Sequence, residues 1–383
     1  MLQIGIVGLG CVGLSVVEIL NKHADLLVQR CGHQLMIKKG VVKDLSKKRP
    51  VDFALSTDIN TLLDDPDINL IVELSGQVEL AYKLATKALK RGKGFITANK
   101  AMLAQHQELI HSPIGFEASV GGGIPLIKAL KEGLASNAIL GIQGVINGTC
   151  NFILEQMDLG QSFENALKKA QDLGYAEANA HLDTSGQDSA HKLLILSSLA
   201  FGGQIAFEGV AVQGIEGISN TDLMHAKRLG YRLKLLAQAH KSAEGLTLSV
   251  GPVLLPQEHM LAQVQGVMNG AVFVGDSVGE TFYYGAGAGG LATASAVVSD
   301  ILDFCRQKHA LKLKTLPTIA LAKKAPKPHY VRLGRPMPKN IPATLHFCAG
   351  QEHIYTTQPT HTQELQASLA HLGAQVQIYP LLA

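Results

Sequence analysis

Between Asp183 and Gly202 the chain reads DTSGQDSAHKLLILSSLAFG, which sets two carboxylates and a lysine at the mouth of an apolar helix. A lysine can give a proton to a carbonyl oxygen as hydride arrives at its carbon, and a carboxylate one helical turn away can aim the amine. The plainer reading is structural. Ser185 with Asp188 three residues on has the form of a capping box, and Asp188 falls in the first turn, where the helix dipole favours negative charge. Asp188 and Lys192 then share a face. What exceeds an ordinary helix start is the company of Lys192, because Leu193, Leu194, Ile195, Leu196, Leu199 and Phe201 make the helix apolar nearly all round. Such a helix is usually buried, and lysines are rarely buried without a partner or a task.

A second constellation opens the chain. Residues 3–7 form a short apolar strand that runs into Gly8-Leu9-Gly10-Cys11-Val12-Gly13, after which Val12, Val16, Val17, Ile19 and Leu20 keep helical spacing. This is GxGxxG between a strand and a helix, the context in which it binds dinucleotides. The first glycine permits the tight turn, the second lets backbone approach a pyrophosphate, and the third allows close helix packing. Amides at the helix start, around Cys11 and Val12, then hold the phosphates. Lysines, carboxylates and a dinucleotide site together point to hydride transfer at a carbonyl.

These groups need elements to hold them. Strand-like runs follow at 35–42, 69–74, 94–98 and 114–118, with helical patterns at 78–90 and 101–110. Such alternation implies α/β structure, a parallel sheet covered on both faces, and a Rossmann domain over about the first 130 residues. In that fold the second strand ends over the adenosine ribose, where an acid favours NAD and a basic residue accommodates the NADP phosphate. Lys43 stands there, followed by Lys47, Lys48 and Arg49, which tilts the reading to NADP; Asp44 keeps NAD open. From 134 to 283 the alternation is lost, as in an α+β domain, with a helix at 163–172 and strand-like stretches at 246–250 and 272–274. A second glycine-rich turn, Gly285 to Gly290, leads into a last helix, and a proline- and lysine-rich linker precedes a polar tail.

Bulk properties narrow the class. A chain of 383 residues, 46% apolar, suggests two or three domains with ample cores. A net charge of +3 does not suggest nucleic acid. The five cysteines are scattered, which indicates neither a disulfide framework nor a zinc site. No apolar run approaches a membrane span, and MLQIGIVGLG reads as a strand rather than a signal peptide, so a cytoplasmic location is expected.

Six ordered blocks resemble homoserine dehydrogenase: GLGCVG, TANKAMLA, FEASVGGGIPLIKALKEGLA, GVINGTCNFIL, LGYAEANAHLDTSGQDSAHK and GAGAGGLATASAVVSD. The resemblance runs to about residue 305. It implies NAD(P)-dependent interconversion of L-homoserine and L-aspartate 4-semialdehyde, on the route to threonine, isoleucine and methionine. By that resemblance Lys192 is the acid/base lysine and Lys100 its companion. Asp188, Glu177 and Asp183 fall on acidic positions that orient Lys192 or hold the substrate's amino group. Thr97, Lys100, Gly287 and Gly289 fall beside the cofactor. Glu117 with the carbonyls of Val120, Gly122 and Ile124 matches a monovalent-cation site, suited to sodium because its ligands are all oxygen.

The resemblance further implies a homodimer formed through the middle domain. The domain reading is 1–133 with 284–312 returning to it, then 134–283 for catalysis and dimerisation, then 320–383 as a linker and degenerate ACT-like module, with strands expected at 329–333 and 375–379 and a helix at 365–372. The chain departs from the family at Asn179 and Ala180, where the usual AEADP reads AEANA, and at Ala292, where a proline commonly precedes the threonine. Two other readings stand beside this one: a non-catalytic dinucleotide-binding regulator, and a semialdehyde dehydrogenase with Cys150 as its nucleophile.

Overall fold

The computed structural model describes residues 1–306 and 317–382. They divide into two compact units, Met1–Ile139 with His191–Phe207 and Val274–Ile319, and Leu140–Ala190 with Glu208–Phe273 and Ala320–Ala383. In the first, the chain runs β1 (Leu2–Val7), α1 (Cys11–Lys22), α2 (Ala24–Cys31), β2 (Leu35–Val41), β3 (Ala54–Ser56), α3 (Asn60–Leu63), β4 (Leu70–Glu73), α4 (Val78–Lys90), β5 (Gly94–Thr97), α5 (Lys100–Gln105) and α6 (Leu126–Lys128). The five strands form one parallel sheet in the order β3-β2-β1-β4-β5. Their apolar runs are what a sheet buried on both faces requires: β4, Leu-Ile-Val-Glu, is buried throughout. In α4 the buried residues Ala81, Leu84, Ala85 and Ala88 repeat at helical spacing, which lays one stripe on the sheet. The strand order reverses between β1 and β4, and register places Val7, Glu73 and Thr97 side by side at the carboxyl ends, where open α/β sheets bind ligands.

Two expectations in this unit are corrected. Residues 114–118 form no strand: Gly115 makes a single bridge to Ile96, and the chain turns into a 3-10 helix at Glu117–Ser119. Close packing explains the interruption, since a Cβ on Gly115 would stand 2.7 Å from Cβ of Asp300. The helix expected over 101–110 breaks after α5 at His106, whose ring stacks on Tyr82, and a 3-10 helix follows at Gln107–His111.

The chain continues through β6 (Ile139–Val145), α7 (Gly148–Asp158), α8 (Phe163–Asp172), α9 (His181–Thr184), α10 (Gln187–Phe201), β7 (Ala211–Val212), α11 (Asn220–Arg228), β8 (Tyr231–Ser242), β9 (Gly245–Pro256) and β10 (Met268–Gly275). Strands β10, β6, β8, β9 and β7 lie side by side in that order, with β8 and β9 paired as one long antiparallel hairpin. The apolar helix expected after Lys192 is α10, and Leu193 to Leu196 are fully buried in it. Its expected capping box is absent. Ser185 has helical backbone angles and ends α9, its Oγ makes no hydrogen bond, and Gly186 at φ 83° turns the chain and accepts from Ala190 N–H.

Next come β11 (Gly279–Ala286) and α12 (Gly290–Arg306), both in the first unit. Helix α12 lies on α1 and joins Val297 and Ile301 to the core of Ile4, Ile6, Val16 and Leu20. The segment expected to return at 284–312 extends into 307–312, which lie outside the described residues.

The tail holds more structure than expected. Besides β12 (His329–Leu333), it forms β13 (Ala343–Ala349) and β14 (Glu352–Thr357), then α13 (Thr362–Leu369) and β15 (Gln377–Pro380). An antiparallel sheet of order β13-β14-β12-β15 results, with Val331, Leu333, Tyr355, Leu365 and Leu369 as its core. The helix thus lies three residues before its expected start, and the last strand two after. The module is tied to α11 through Asp222, whose fully buried carboxylate accepts from Arg332 Nε at 2.9 Å and from the hydroxyls of Tyr330 and Tyr379. The same carboxylate closes the capping box of α11 with Ser219.

Removing one partner of a buried ion pair strands the other charge. Asp222→Ala should therefore lower stability by about 3 kcal/mol or more, measured by denaturant unfolding. A second expectation concerns acid. His329 is fully buried with Nε2 2.8 Å from Thr362 Oγ1, and burial pushes its imidazole down to about 4. Its folded value lies below its unfolded one, so this contribution to stability is whole above about pH 6.5 and is lost as pH falls toward 4. Denaturation midpoints taken across that window should fall less in His329→Gln than in the unaltered chain.

Candidate active site

The glycine turn after β1 has the geometry its spacing implies. Gly8 sits at φ 91°, and a Cβ on it would meet the Leu74 main chain at 2.6 Å. A Cβ on Gly13 would fall 2.2 Å from Gly8 O, so helix and turn touch backbone to backbone. A Cβ on Gly10 would meet nothing within 4 Å. Nothing in the chain itself therefore demands glycine at Gly10, which lies in open space before the amides of Cys11 and Val12. The second glycine turn comes to the same place: a Cβ on Gly290 would stand 2.7 Å from Cys11 Sγ and Ser15 Oγ, which sets Gly287 and Gly289 near the start of α1.

At the carboxyl end of β4 lies an acid that the sequence reading did not single out. Glu73 is fully buried, accepting from Ser75 N–H and Oγ on one oxygen and from Thr97 Oγ1 at 2.8 Å on the other. Thr97 in turn accepts from Asn99 N–H, and Asn99 Oδ1 accepts from Met102 N–H, capping α5. Glu73 thus builds the turn that presents Thr97 and, at the first position of α5, the half-buried Lys100. The signal for it was a single carboxylate inside the apolar run NLIVELSG. Asn99 Nδ2 is buried and makes no hydrogen bond within the described chain, which leaves it as a donor for a ligand.

After β2, Asp44 folds onto its own loop. Its Oδ1 accepts from both N–H and Oγ of Ser46, which hold the carboxyl below its usual range. Arg49 is spent on the carbonyls of Asp44 and Lys47, whereas Lys43, Lys47 and Lys48 are exposed. Lys38 and Lys39, also in the basic cluster, pair with Asp65.

Glu117 is buried and its two oxygens accept from the N–H groups of Ile127 and Lys128 at 2.9 and 2.8 Å, which caps α6. Its own N–H donates to Asp300 Oδ2. Burial pushes the Glu117 carboxyl up to about 7 despite those two amides and the charges of Lys128 and Lys131, and burial likewise raises Asp300. Val120, Gly122 and Ile124 lie in the loop between, and Gly123 N–H donates to Ala286 O.

In the second unit the acids gather on one amide. Asn147 Nδ2 donates to Asp183 Oδ1 at 2.7 Å and to Asp188 Oδ2 at 2.9 Å, while its Oδ1 accepts from Cys150 N–H and caps α7. The positive end of α7 therefore faces two carboxylates. Thr149 Oγ1 donates to Tyr175 O, and Cys150 Sγ to Asp183 O at 3.1 Å. Cys150 is fully buried, unlike an accessible nucleophilic thiol. Glu177 is exposed, and its carboxylate is not among the groups held by Asn147. Asn179 accepts from His181 N–H and begins α9, a task its side chain shares with the aspartate usual there. Lys192 is 9% exposed on α10, one turn beyond Asp188.

Comparison with known proteins identifies the family. A family model described as homoserine dehydrogenase matches residues 125–302, and one described as the homoserine dehydrogenase NAD binding domain matches residues 8–112. Homoserine dehydrogenase of Helicobacter pylori is 51% identical over 318 residues, covering 82% of this chain and 76% of that protein. The crystal structure of a homoserine dehydrogenase from Thiobacillus denitrificans superimposes with a TM-score of 0.91 at 35% identity, covering 100% of this chain and 98% of that one. A hyperthermophilic archaeal homoserine dehydrogenase mutant, solved in complex with NADPH, superimposes with a TM-score of 0.68 at 27% identity over 79% of this chain and 97% of its own. With a dinucleotide cradle at one end of the chain's chemistry and a lysine helix headed by paired acids at the other, the chain belongs to the homoserine dehydrogenase family, as an NAD(P)-dependent oxidoreductase that interconverts L-homoserine and L-aspartate 4-semialdehyde.

Proposed function

We propose that Lys192 is the acid/base group of this dehydrogenase and that Lys100, Asp188, Asp183 and Glu177 serve it. NAD(P)H, when bound, supplies the hydride. Lys192 gives a proton to the aldehyde oxygen during reduction and removes it from the hydroxyl during oxidation. Lys100 is its active-site companion, presented at the first position of α5. Asp188 aims the Lys192 amine, and Asp183 and Glu177 receive the substrate's ammonium group. The observation that carries this reading is the pairing of Asp183 and Asp188 on Asn147 at the head of the helix that bears Lys192.

The cofactor's phosphates lie on the amides after Gly8, Gly10, Cys11, Val12 and Gly13, with Thr97, Lys100, Gly287 and Gly289 toward the nicotinamide. The open space at Gly10 and the unsatisfied donor of Asn99 support that placement. NADP is favoured over NAD, because Lys43 is exposed where a ribose phosphate would sit and Asp44 is engaged by Ser46. The archaeal relative's complex with NADPH agrees. A sodium ion would be held by Glu117 with the main-chain carbonyls of Val120, Gly122 and Ile124; each Glu117 oxygen accepts one amide N–H and keeps a second lone pair.

The working unit is a homodimer built on the middle domain at 134–283, acting in the cytoplasm; among the described residues no helix is long and apolar enough to cross a membrane. The nucleotide domain comprises 1–133 and 284–312, and 320–383 holds a degenerate ACT-like module, consistent with four antiparallel strands and one helix.

Two measurements test these roles. Homoserine oxidation followed at the reduced-nicotinamide band should lose on the order of a hundredfold or more in Lys192→Ala, and unchanged turnover would remove Lys192 from the chemistry. Gly10→Ala should melt with the unaltered protein, because its Cβ meets no atom of the chain, yet raise KM for NADP about tenfold or more. Gly13→Ala, in contrast, should lower the melting temperature as well.

A further inference from the structure

Asn147 is held at both ends of its amide. It is 4% exposed, its oxygen is committed to Cys150 N–H at 2.8 Å, and only an oxygen can take that bond. The amide therefore turns its NH2 toward the acids, and its two hydrogens go to two different carboxylates, Asp183 and Asp188. The backbone beneath is equally constrained. A Cβ on Gly148 would stand 2.4 Å from Val267 O, so the turn rests directly on segment 264–267. That segment is clamped in turn by Asn151 Nδ2 to the carbonyls of Val264 and Gly266, and by buried Lys234 Nζ to Asn151 Oδ1 and Val264 O.

Each carboxylate accepts one of the two hydrogens of that amide, which ties the two acids to one planar group. A neutral amide fixed by a helix N-terminus does this without adding a charge that would compete with a lysine. We propose that Asn147 is a positioning residue for the reaction: its single NH2 group holds Asp183 and Asp188 in one relation, so that binding of the substrate's ammonium and aiming of Lys192 are set by the same side chain. This rests on the roles assigned to the two acids above.

The test keeps the helix cap and removes the bridge. Asn147→Ser and Asn147→Thr both leave an oxygen able to accept from Cys150 N–H, and both residues are favoured caps. Each should melt close to the unaltered enzyme, raise KM for homoserine and lower kcat, for a combined loss in kcat/KM on the order of 10- to 100-fold. KM for NADP should stay within about threefold, because the nucleotide cradle does not involve Asn147. Combined with Asp188→Asn, the serine variant should cost less than the product of the two single losses, since the two changes remove parts of one unit.

Variants that keep wild-type kcat/KM overturn the proposal, and so do variants that fail to fold, which would assign Asn147 to holding α7 alone. If Asp183→Asn and Asp188→Asn are themselves fully active, the assignment of the acids has failed. If those two are impaired and both Asn147 variants are not, only the bridging role has failed.

Discussion

The approach of α12 to the parallel sheet is the constraint on which the nucleotide half depends. It is close enough that Gly115 can carry no Cβ against Asp300 and Gly290 none against Cys11. That contact does three things at once. It buries Val297 and Ile301 with the first strand and first helix, it draws the second glycine turn up to the first, and it brings Asp300 within reach of Glu117 N–H. A residue with a side chain at either glycine would push α12 outward, and all three would loosen together. The two glycine turns are thus brought together from segments nearly three hundred residues apart in sequence by one packing distance.

Much of this was legible in the chain because the signals were local. The helices at Val78–Lys90 and Phe163–Asp172 and the strand at His329–Leu333 begin and end where periodicity said they would, since apolar spacing and turn residues act over a few positions. What was missed depended on distant partners. Residues 114–118 looked like a strand until α12 packed against Gly115. Ser185 looked like a cap until Gly186 took the turn instead. Strand β13 is largely exposed and β14, Glu-His-Ile-Tyr-Thr-Thr, has only two apolar residues, side by side, so neither carries the apolar alternation that would have announced it. Glu73 and Asn147 were visible as residue types, an acid in an apolar strand and an asparagine before Gly-Thr, but their roles come from partners 24 and 36 or more positions away.

The tail shows how a small module is held by few interactions. Its hydrophobic cluster of Val331, Leu333, Tyr355, Leu365 and Leu369 is smaller than that of the nucleotide half. Asp222 compensates by serving two structures: it closes the capping box of α11 and receives Arg332, Tyr330 and Tyr379 from the module. Arg332 also pairs with Glu352 on the neighbouring strand, so the guanidinium links the sheet internally as well as to the helix. A polar tail in sequence is therefore an ordered domain in structure, because its charges are spent on specific partners rather than on water.

The buried carboxylates of the two units separate perturbation from function. Glu117 is pushed up to about 7, a value that would suit a general acid, yet its oxygens accept from the amides of a helix start and its neighbour Asp300 receives a backbone N–H. Their shifts arise from burial where the Glu117 segment packs on α12. Asp183 and Asp188 differ in what supports them. Their donor is a side-chain amide already locked by a helix cap, and the helix that follows carries a lysine into an apolar setting. A shifted carboxylate marks where burial is costly and is not by itself a sign of catalysis; Glu117 and Asp300 lie in the first unit, Asp183 and Asp188 in the second.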